Sequence, residues 1–531
     1  MKRLTPYPIL VTILALLLAA CSAASDPQTI AEPIPQATQS APVALDNRNQ
    51  EAVEAETVAE IIAVAPSNNT QPIVIATQAP TPRDMFFQDY GVNPYILTGE
   101  DNLSTFSLDV DTGAYSIARR YISDGLPVPP EAVRVEEFVN AFNQGYALPP
   151  DAAFAIYADG APSPFHNDGT HFLRIGIQGY DVSEAERPAA VLTFVIDISG
   201  SMAQENRLGL VKESLQLLVD RLHDDDTVAI VVYGSDARVI LNPTPGSQRA
   251  AILTAIYGLN TEGSTNLEAG LNLGYQLANR AYKPGGINRV IVASDGVANV
   301  GNTDPDVLAQ EIRGYADAGI TLTTVGFGLG NYNDVIMEQL ADQGDGNYAY
   351  VDTLAEAEKL FVENLVSTLQ VIALDAKIQV AFEPQVVQQY RLIGYENRAI
   401  ADQDFRNDQL DAAEFGAGHS ATAIYAVQLV PGANGRIATV NLRWQDPDTR
   451  QVTEISGDFF TSDLSISFDA AALHYQLAVV VSQYAELLRG SYWAEGVTLN
   501  DLHIRSQRLA GQMELADVIE FANMVANTRE G

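Results

Sequence analysis

Val191-Leu192-Thr193-Phe194-Val195-Ile196-Asp197-Ile198-Ser199-Gly200-Ser201-Met202 decides how the rest of the chain is read. Its first six residues form a near-continuous apolar run of strand length, the pattern of a strand covered on both faces of its sheet. A carboxylate and two hydroxyls follow directly at the strand's end. A helix-like stretch comes next at 205–222, with Leu208, Val211, Leu215, Leu218 and Leu222 on one stripe. Strand signals recur at 228–232, 290–293, 321–325 and 346–351, alternating with helical ones at 267–281, 307–318, 335–340 and 354–372. Units of this length predict an α/β fold over 188–373, with a mostly parallel sheet and helices on both faces. In such sheets ligands bind beyond the carboxyl ends of the strands, so the residues just after each strand carry the chemistry.

Three of those strand ends and loops share one chemistry. Asp197-x-Ser199-x-Ser201 is the first. Gly263-Ser264-Thr265-Asn266 places a hydroxyl just before a predicted helix, and Ser294-Asp295-Gly296 places a carboxylate just after a predicted strand. The first motif alone says little, because Asp and Ser commonly cap turns after strands. Together, in this order, the five positions resemble the metal-ion-dependent adhesion site of von Willebrand factor type A (VWA) domains. The resemblance implies a Rossmann-like domain in which Ser199, Ser201 and Thr265 are hydroxyl ligands. Asp197 and Asp295 would act largely through bound water and through hydrogen bonds to those hydroxyls. The donor chemistry agrees: hydroxyls and carboxylates are hard oxygen ligands, suited to Mg²⁺, with Mn²⁺ or Ca²⁺ as alternatives. One coordination position is left for an Asp or Glu carboxylate of a partner protein. The expectation is therefore a metal-dependent protein-binding module and not an enzyme, the alternative being an envelope scaffold whose metal is structural only.

At the N-terminus Lys2 and Arg3 precede an apolar run at 9–20. About 12 residues cannot span roughly 30 Å of hydrocarbon, but they suit the apolar region of a signal peptide. Leu18-Ala19-Ala20-Cys21 resembles a bacterial lipobox, which implies cleavage before Cys21 and its lipidation. Acyl chains contribute about 0.8 kcal/mol per buried CH₂, enough for several chains to anchor firmly. The expectation is an exported protein held by lipid to the bacterial cell membrane or outer membrane, facing periplasm or cell surface. Residues 22–84 are rich in Pro, Ala, Gln and Thr, and 22–83 hold no aromatic residue, so they read as a disordered stalk.

The flanks extend the resemblance. Residues 90–94, 101–112, 118–121 and 133–140 resemble the region that precedes the VWA domain in a family of bacterial VWA lipoproteins. Residues 390–398 and 414–419 resemble that family's C-terminal domain, which has no assigned biochemical role. Alternating segments at 172–178, 376–382, 421–429 and 437–444 read as strands. They lie on both sides of the α/β stretch, and a domain whose ends lie close together is easily inserted into another. A β-sandwich built from both flanks, 85–187 and 374–531, is therefore expected around the VWA domain. Helices are expected at 470–488, 499–509 and 515–527.

Composition narrows the function classes. The chain has 531 residues, long enough for two to four domains of about 100–200 residues. Lys+Arg number 30 against 67 Asp+Glu, a formal charge of −37. With no basic block to neutralise phosphates, nucleic acid is excluded as a partner. The single cysteine excludes an intrachain disulfide framework and a cysteine zinc cluster. Asp109-Val110-Asp111-Thr112-Gly113 lacks the glycine and glutamate of a calcium loop and reads as a turn. The six histidines show no metal-ligand spacing, and His419 in its Gly-rich setting reads as a loop or packing residue. Neither a nucleophile elbow nor a P-loop is present. Asp224-Asp225-Asp226 reads as a solvated loop at the far end of the sheet.

Overall fold

The computed structural model describes residues 86–108, 110–295, 305–328, 334–408, 410 and 412–528. The leader expected at 1–21 with Cys21, the stalk at 22–84, and Asp109 of the discounted loop lie outside the described residues. Among the described residues no helix is long and apolar enough to cross a membrane.

The N-terminal flank supplies β1 (Ile96–Leu97), β2 (Leu103–Ser107), α1 (Gly113–Ser123), α2 (Val135–Asn140), β3 (Phe154–Pro162) and β4 (Thr170–Gly179). The α/β stretch then runs β5 (Ala190–Asp197), α3 (Arg207–Arg221), β6 (Thr227–Tyr233), β7 (Ala237–Pro245), α4 (Arg249–Tyr257) and α5 (Leu267–Ala281). It continues with β8 (Ile287–Ser294), α6 (Pro305–Asp317), β9 (Thr321–Phe327), α7 (Asp334–Gln343), β10 (Tyr348–Val351), α8 (Leu354–Glu358) and α9 (Leu365–Leu369). The six-stranded sheet has the order β10-β9-β8-β5-β6-β7. Its neighbours are parallel except for the antiparallel edge pair β6 and β7.

β5 is buried along its whole length because helices cover both of its faces. Leu192, Phe194 and Ile196 share one core with Leu208, Val211, Leu215 and Leu218 of α3. Val195 shares the opposite core with Leu267, Leu271 and Tyr275 of α5. Each such aliphatic side chain contributes about 1.5–3 kcal/mol on burial, which exceeds propensity differences of about 0.7 kcal/mol or less per residue. Packing therefore holds these helices in place. Gly274 lets α5 settle onto the strand, since a Cβ there would clash with the Val195 Cγ2 methyl.

Two features depart from the sequence reading. β7 and α4 carried no clear signal: β7 is an exposed edge strand that contains Pro243 and ends at Pro245, so its alternation is blurred and proline is tolerated. The helix expected over 354–372 is broken. α8 passes into a π-helical turn (Lys359–Glu363) before α9, and Val371 and Ile372 already belong to the next strand.

That strand opens the C-terminal flank: β11 (Val371–Phe382), β12 (Val387–Ile393), β13 (Ala413–Gly416), β14 (Ser420–Leu429), β15 (Arg436–Gln445), β16 (Val452–Phe460), α10 (Leu473–Leu488), α11 (Leu499–Met513) and α12 (Ala516–Asn527). Strands of both flanks interleave. One sheet has the order β1-β12-β14-β4-β3, and the other β13-β11-β15-β16, with β2 also paired to β11. The segment expected at 172–178 pairs with the C-terminal flank, Phe172 opposite Ala426 and Gln178 opposite Ser420. Alternation sorts the residues of β4 between two cores. Leu173, Ile175 and Ile177 meet Ile378 and Val380 of β11, while Phe172 faces the helices with Tyr475 and Val479 of α10. Arg398 clips this assembly to α7, its guanidinium 3.0 Å from both Asp342 and Glu338.

Candidate functional site

Two of the three loops at the carboxyl edge of the α/β sheet are stitched together through backbone. Glu262 donates its N–H to the Ile198 carbonyl at 2.6 Å, and Gly200 donates to Gly263 at 3.3 Å. Ile198 also donates to the Tyr233 carbonyl at the end of β6, 2.9 Å. Gly263 adopts a φ of +77°, which a residue with a side chain rarely tolerates. A Cβ there would also meet the Ser235 N–H at 2.8 Å. Ser264 donates its N–H to the Ser235 hydroxyl, and Asn266 caps α5 by accepting from Ala269 N–H at 3.1 Å. Thr265, half-buried, stands just before that cap.

Within this frame the expected residues group as follows. The Ser199 and Ser201 hydroxyl oxygens are 3.0 Å apart. Asp197 is fully buried; its Oδ1 accepts the Ser199 N–H at 2.8 Å and its Oδ2 accepts the Ser294 hydroxyl at 3.0 Å. Asp295 is fully buried at the end of β8, and its Oδ2 accepts from Arg207 Nη1 at 2.8 Å. Its Oδ1 has no hydrogen-bond partner among the described residues. Thr265 sits on the loop bonded to the first one, with Ser201 and Thr265 the more exposed of the five.

Burial, reinforced by the charge of Asp295, pushes the Asp197 carboxyl up to about 6 despite hydrogen bonds from Ser199 and Ser294. Two buried carboxylates thus lie close enough to repel, and Arg207 pairs with one of them, Asp295. A hard-oxygen donor set with an unsatisfied buried carboxylate oxygen fits a small divalent cation, because leaving such an oxygen unpaired is costly. Arg207 had no signal in the sequence. It is the first residue of α3, and its pairing with Asp295 spans 88 positions. Ser294 was visible beside Asp295, but its bond to Asp197 depends on the β5–β8 pairing.

A second cluster lies at the opposite end of the sheet. Among the described residues, His223, Asp225 and Asp226 bring potential ligand atoms within 4.8 Å of one another, a candidate metal-coordinating group. The sequence reading of this loop as solvated holds for Asp224 and Asp225 but fails for Asp226, which is fully buried. Both Asp226 oxygens are engaged. Oδ1 accepts from Arg187 at 3.1 Å and Ala190 N–H at 2.7 Å; Oδ2 accepts from Arg187 and His223 N–H, each at 2.7 Å. Burial alone would raise this carboxyl, but Arg187 and the two N–H groups hold it below the usual range. The bonds of Asp226 clamp the start of β5 to the α3–β6 loop.

Three family models match stretches of the chain. Residues 192–371 match the von Willebrand factor type A domain family, residues 81–174 match the family described as von Willebrand factor, and residues 367–434 match the family "Uncharacterized protein YfbK, C-terminal". "Uncharacterized protein YfbK" of Escherichia coli (strain K12) is 35% identical over 481 residues, 85% of this chain and 82% of that protein. "Uncharacterized protein sll0103" of Synechocystis is 26% identical over 296 residues, 54% of this chain and 68% of that one. A solved von Willebrand factor type A structure from Catenulispora acidiphila aligns with 72% of this chain and 91% of its own, at 18% identity and a TM-score of 0.41. With its α/β stretch and C-terminal flank both matched and the YfbK likeness running through nearly its whole length, the chain belongs to the YfbK-like family of bacterial VWA-domain proteins.

Proposed function

We propose that this chain is an exported, lipid-tethered, non-catalytic binding protein whose VWA domain engages a carboxylate of a partner protein through a divalent cation, with Mg²⁺ preferred. Ser199, Ser201 and Thr265 would hold the ion by their hydroxyls, with Asp197 and Asp295 supplying negative charge behind them. When bound, the cation provides a positive centre with a position left for an Asp or Glu of the partner. The observation that carries the reading is the pair of Ser199 and Ser201 oxygens 3.0 Å apart, together with a buried Asp295 whose Oδ1 has no hydrogen-bond partner among the described residues. The greater exposure of Ser201 and Thr265 supports access from one side. Cys21 would carry the lipid, the stalk at 22–84 would hold the folded part off the membrane, and the interleaved flank sheets would form a sandwich around the inserted VWA domain.

The test is calorimetric titration of the protein with Mg²⁺, followed by crosslinking in the native envelope with and without EDTA. Asp197→Ala should abolish ion binding and partner capture together. Capture that survives both chelation and Asp197→Ala would end the proposal. The deep burial of Asp197, Ser199 and Asp295 favours a second reading, an envelope scaffold in which the ion only stiffens the loops. In that case Mg²⁺ raises the melting temperature by linkage while partner capture ignores EDTA.

A further inference from the structure

The β5–β6 register sets Tyr233 directly beside Asp197. On the other side, β8 brings Ala293 opposite Ile196, so Ser294 comes next to Asp197 and its hydroxyl donates to Oδ2 at 3.0 Å. Ser294, Asp197 and Tyr233 therefore form one row across the ends of adjoining strands β8, β5 and β6. Alternation gives the row a common face. Val292, Val195 and Val231, each two positions earlier on its strand, lie in the core against α5, and Tyr233 lies there with them. Its place is fixed from two sides: its carbonyl accepts the Ile198 N–H at 2.9 Å, and α5 presses on its ring at Gly270, where a Cβ would come within 2.7 Å of it.

The Tyr233 ring is fully buried, and for filling that space a phenylalanine would serve as well. The hydroxyl calls for a different account. It interacts with Asp197 and Ser294 yet completes a hydrogen bond with neither, and it has no other partner among the described residues. Burial, with the charges of Asp197 and Asp295, holds the phenol well above its usual value, so it keeps its proton and remains a donor. A buried donor left without an acceptor costs stability. This one stands beside a carboxylate that already accepts from Ser199 N–H and the Ser294 hydroxyl and has lone pairs to spare. Tyr275 makes the contrast. It lies 2% exposed in the same core, and its hydroxyl also lacks a partner among the described residues, but no residue of the oxygen cluster acts on it.

We infer that Tyr233 is a positioning residue of the candidate cation site, its hydroxyl steadying the Asp197 carboxylate and, through it, the loop that carries Ser199 and Ser201. The inference rests on the cation reading above and deepens it with a residue of β6, a strand that supplies none of the five oxygen positions.

Tyr233→Phe removes the hydroxyl and keeps the ring, and Tyr275→Phe is the matched control. In calorimetric titration with Mg²⁺, Tyr233→Phe should bind about ten-fold more weakly than the parent, the scale on which groups that orient metal ligands affect affinity. Tyr275→Phe should bind as the parent does. In EDTA, hydrogen exchange at the Ser199 amide, which donates to Asp197, should quicken roughly five-fold in Tyr233→Phe alone, the worth of one hydrogen bond. A residue that only fills space would move neither readout. Both variants should melt within about 4 °C of the parent in EDTA, and a larger fall in Tyr233→Phe would assign its hydroxyl to stability and overturn the inference. So would unchanged Mg²⁺ affinity, unchanged exchange at Ser199, or an equal change in Tyr275→Phe. If the parent takes up no Mg²⁺, the cation reading falls, while the exchange comparison still decides whether Tyr233 holds Asp197.

Discussion

Replacing Arg207 by Met removes the guanidinium that accompanies Asp295 while keeping an unbranched side chain to fill its space. The pair is 2% and 0% exposed with a 2.8 Å contact, so its loss leaves Asp295 buried, repelling Asp197 and without its guanidinium partner. Breaking a buried pair from one side costs about 3–5 kcal/mol. For a domain the size of the VWA region each kcal/mol moves the melting temperature by about 2–4 °C, so in EDTA the variant should melt roughly 6–20 °C lower. A guanidinium paired with a carboxylate of the site would oppose binding of a cation there by on the order of 2 kcal/mol at an effective dielectric of about 20. Its removal should therefore tighten Mg²⁺ binding at least about ten-fold. Saturating Mg²⁺ should then stabilise the variant more than the parent and close over half of the gap. Differential scanning calorimetry in EDTA and across a Mg²⁺ series checks both limbs. An unchanged melting temperature in EDTA would refute the electrostatic account of the pair, and an equal Mg²⁺ shift in both proteins would refute a cation beside Asp295.

Asp226→Asn tests the clamp at the other end of the sheet and should cost about 3 kcal/mol by chemical denaturation, with EDTA changing neither protein. Because the folded carboxyl of Asp226 lies below its unfolded value near 3.9, its contribution is complete above that pH and is lost as pH falls through the folded value. The variant should therefore show a shallower acid limb; a metal-sensitive midpoint would instead assign Asp226 to an ion. His419 is held down to about 4 by burial, with Arg289 adding repulsion, whereas the unfolded chain takes up its proton near 6.5. Stability from this site is complete above about 6.5 and declines as pH falls toward 4, and His419→Gln should remove that slope in urea midpoints measured across the interval. Identical slopes in the two proteins would sink the claim.

Much of the α/β stretch was legible because its signals are local. The apolar run of β5 and the stripe of α3 each arise from a single window, and α5 fell at the expected 267–281 bounds. The oxygen-bearing positions were legible for the same reason: their meaning depends on standing just after a strand or before a helix. The helix expected at 354–372 failed where local pattern met a competing partner. Val371 pairs with Gly416 and Ile372 enters the core between the flank sheets, so β pairing claims residues whose spacing also suits a helix. Asp226 failed for a related reason: an acidic run reads as solvated until Arg187, 39 positions away, folds onto it.

The order of strands and helices apart from β7, α4 and the 354–372 stretch, the inward face of the strongly periodic elements and the residue types at Asp197, Ser199, Ser201, Thr265 and Asp295 were present in the sequence by itself, since periodicity and residue type are properties of neighbours along the chain. Only the tertiary structure decided which strands pair across the flanks, where β2 meets β11 over more than 250 positions, and which cation accompanies Asp295. It also brought Tyr95 and Trp493 together from the two flanks, edge-on with ring centroids 5.0 Å apart. Period-2 alternation tells a strand which side is inward but not which strand lies beside it. That choice is made by packing and closure of the whole fold, and so are the contacts that hang on it.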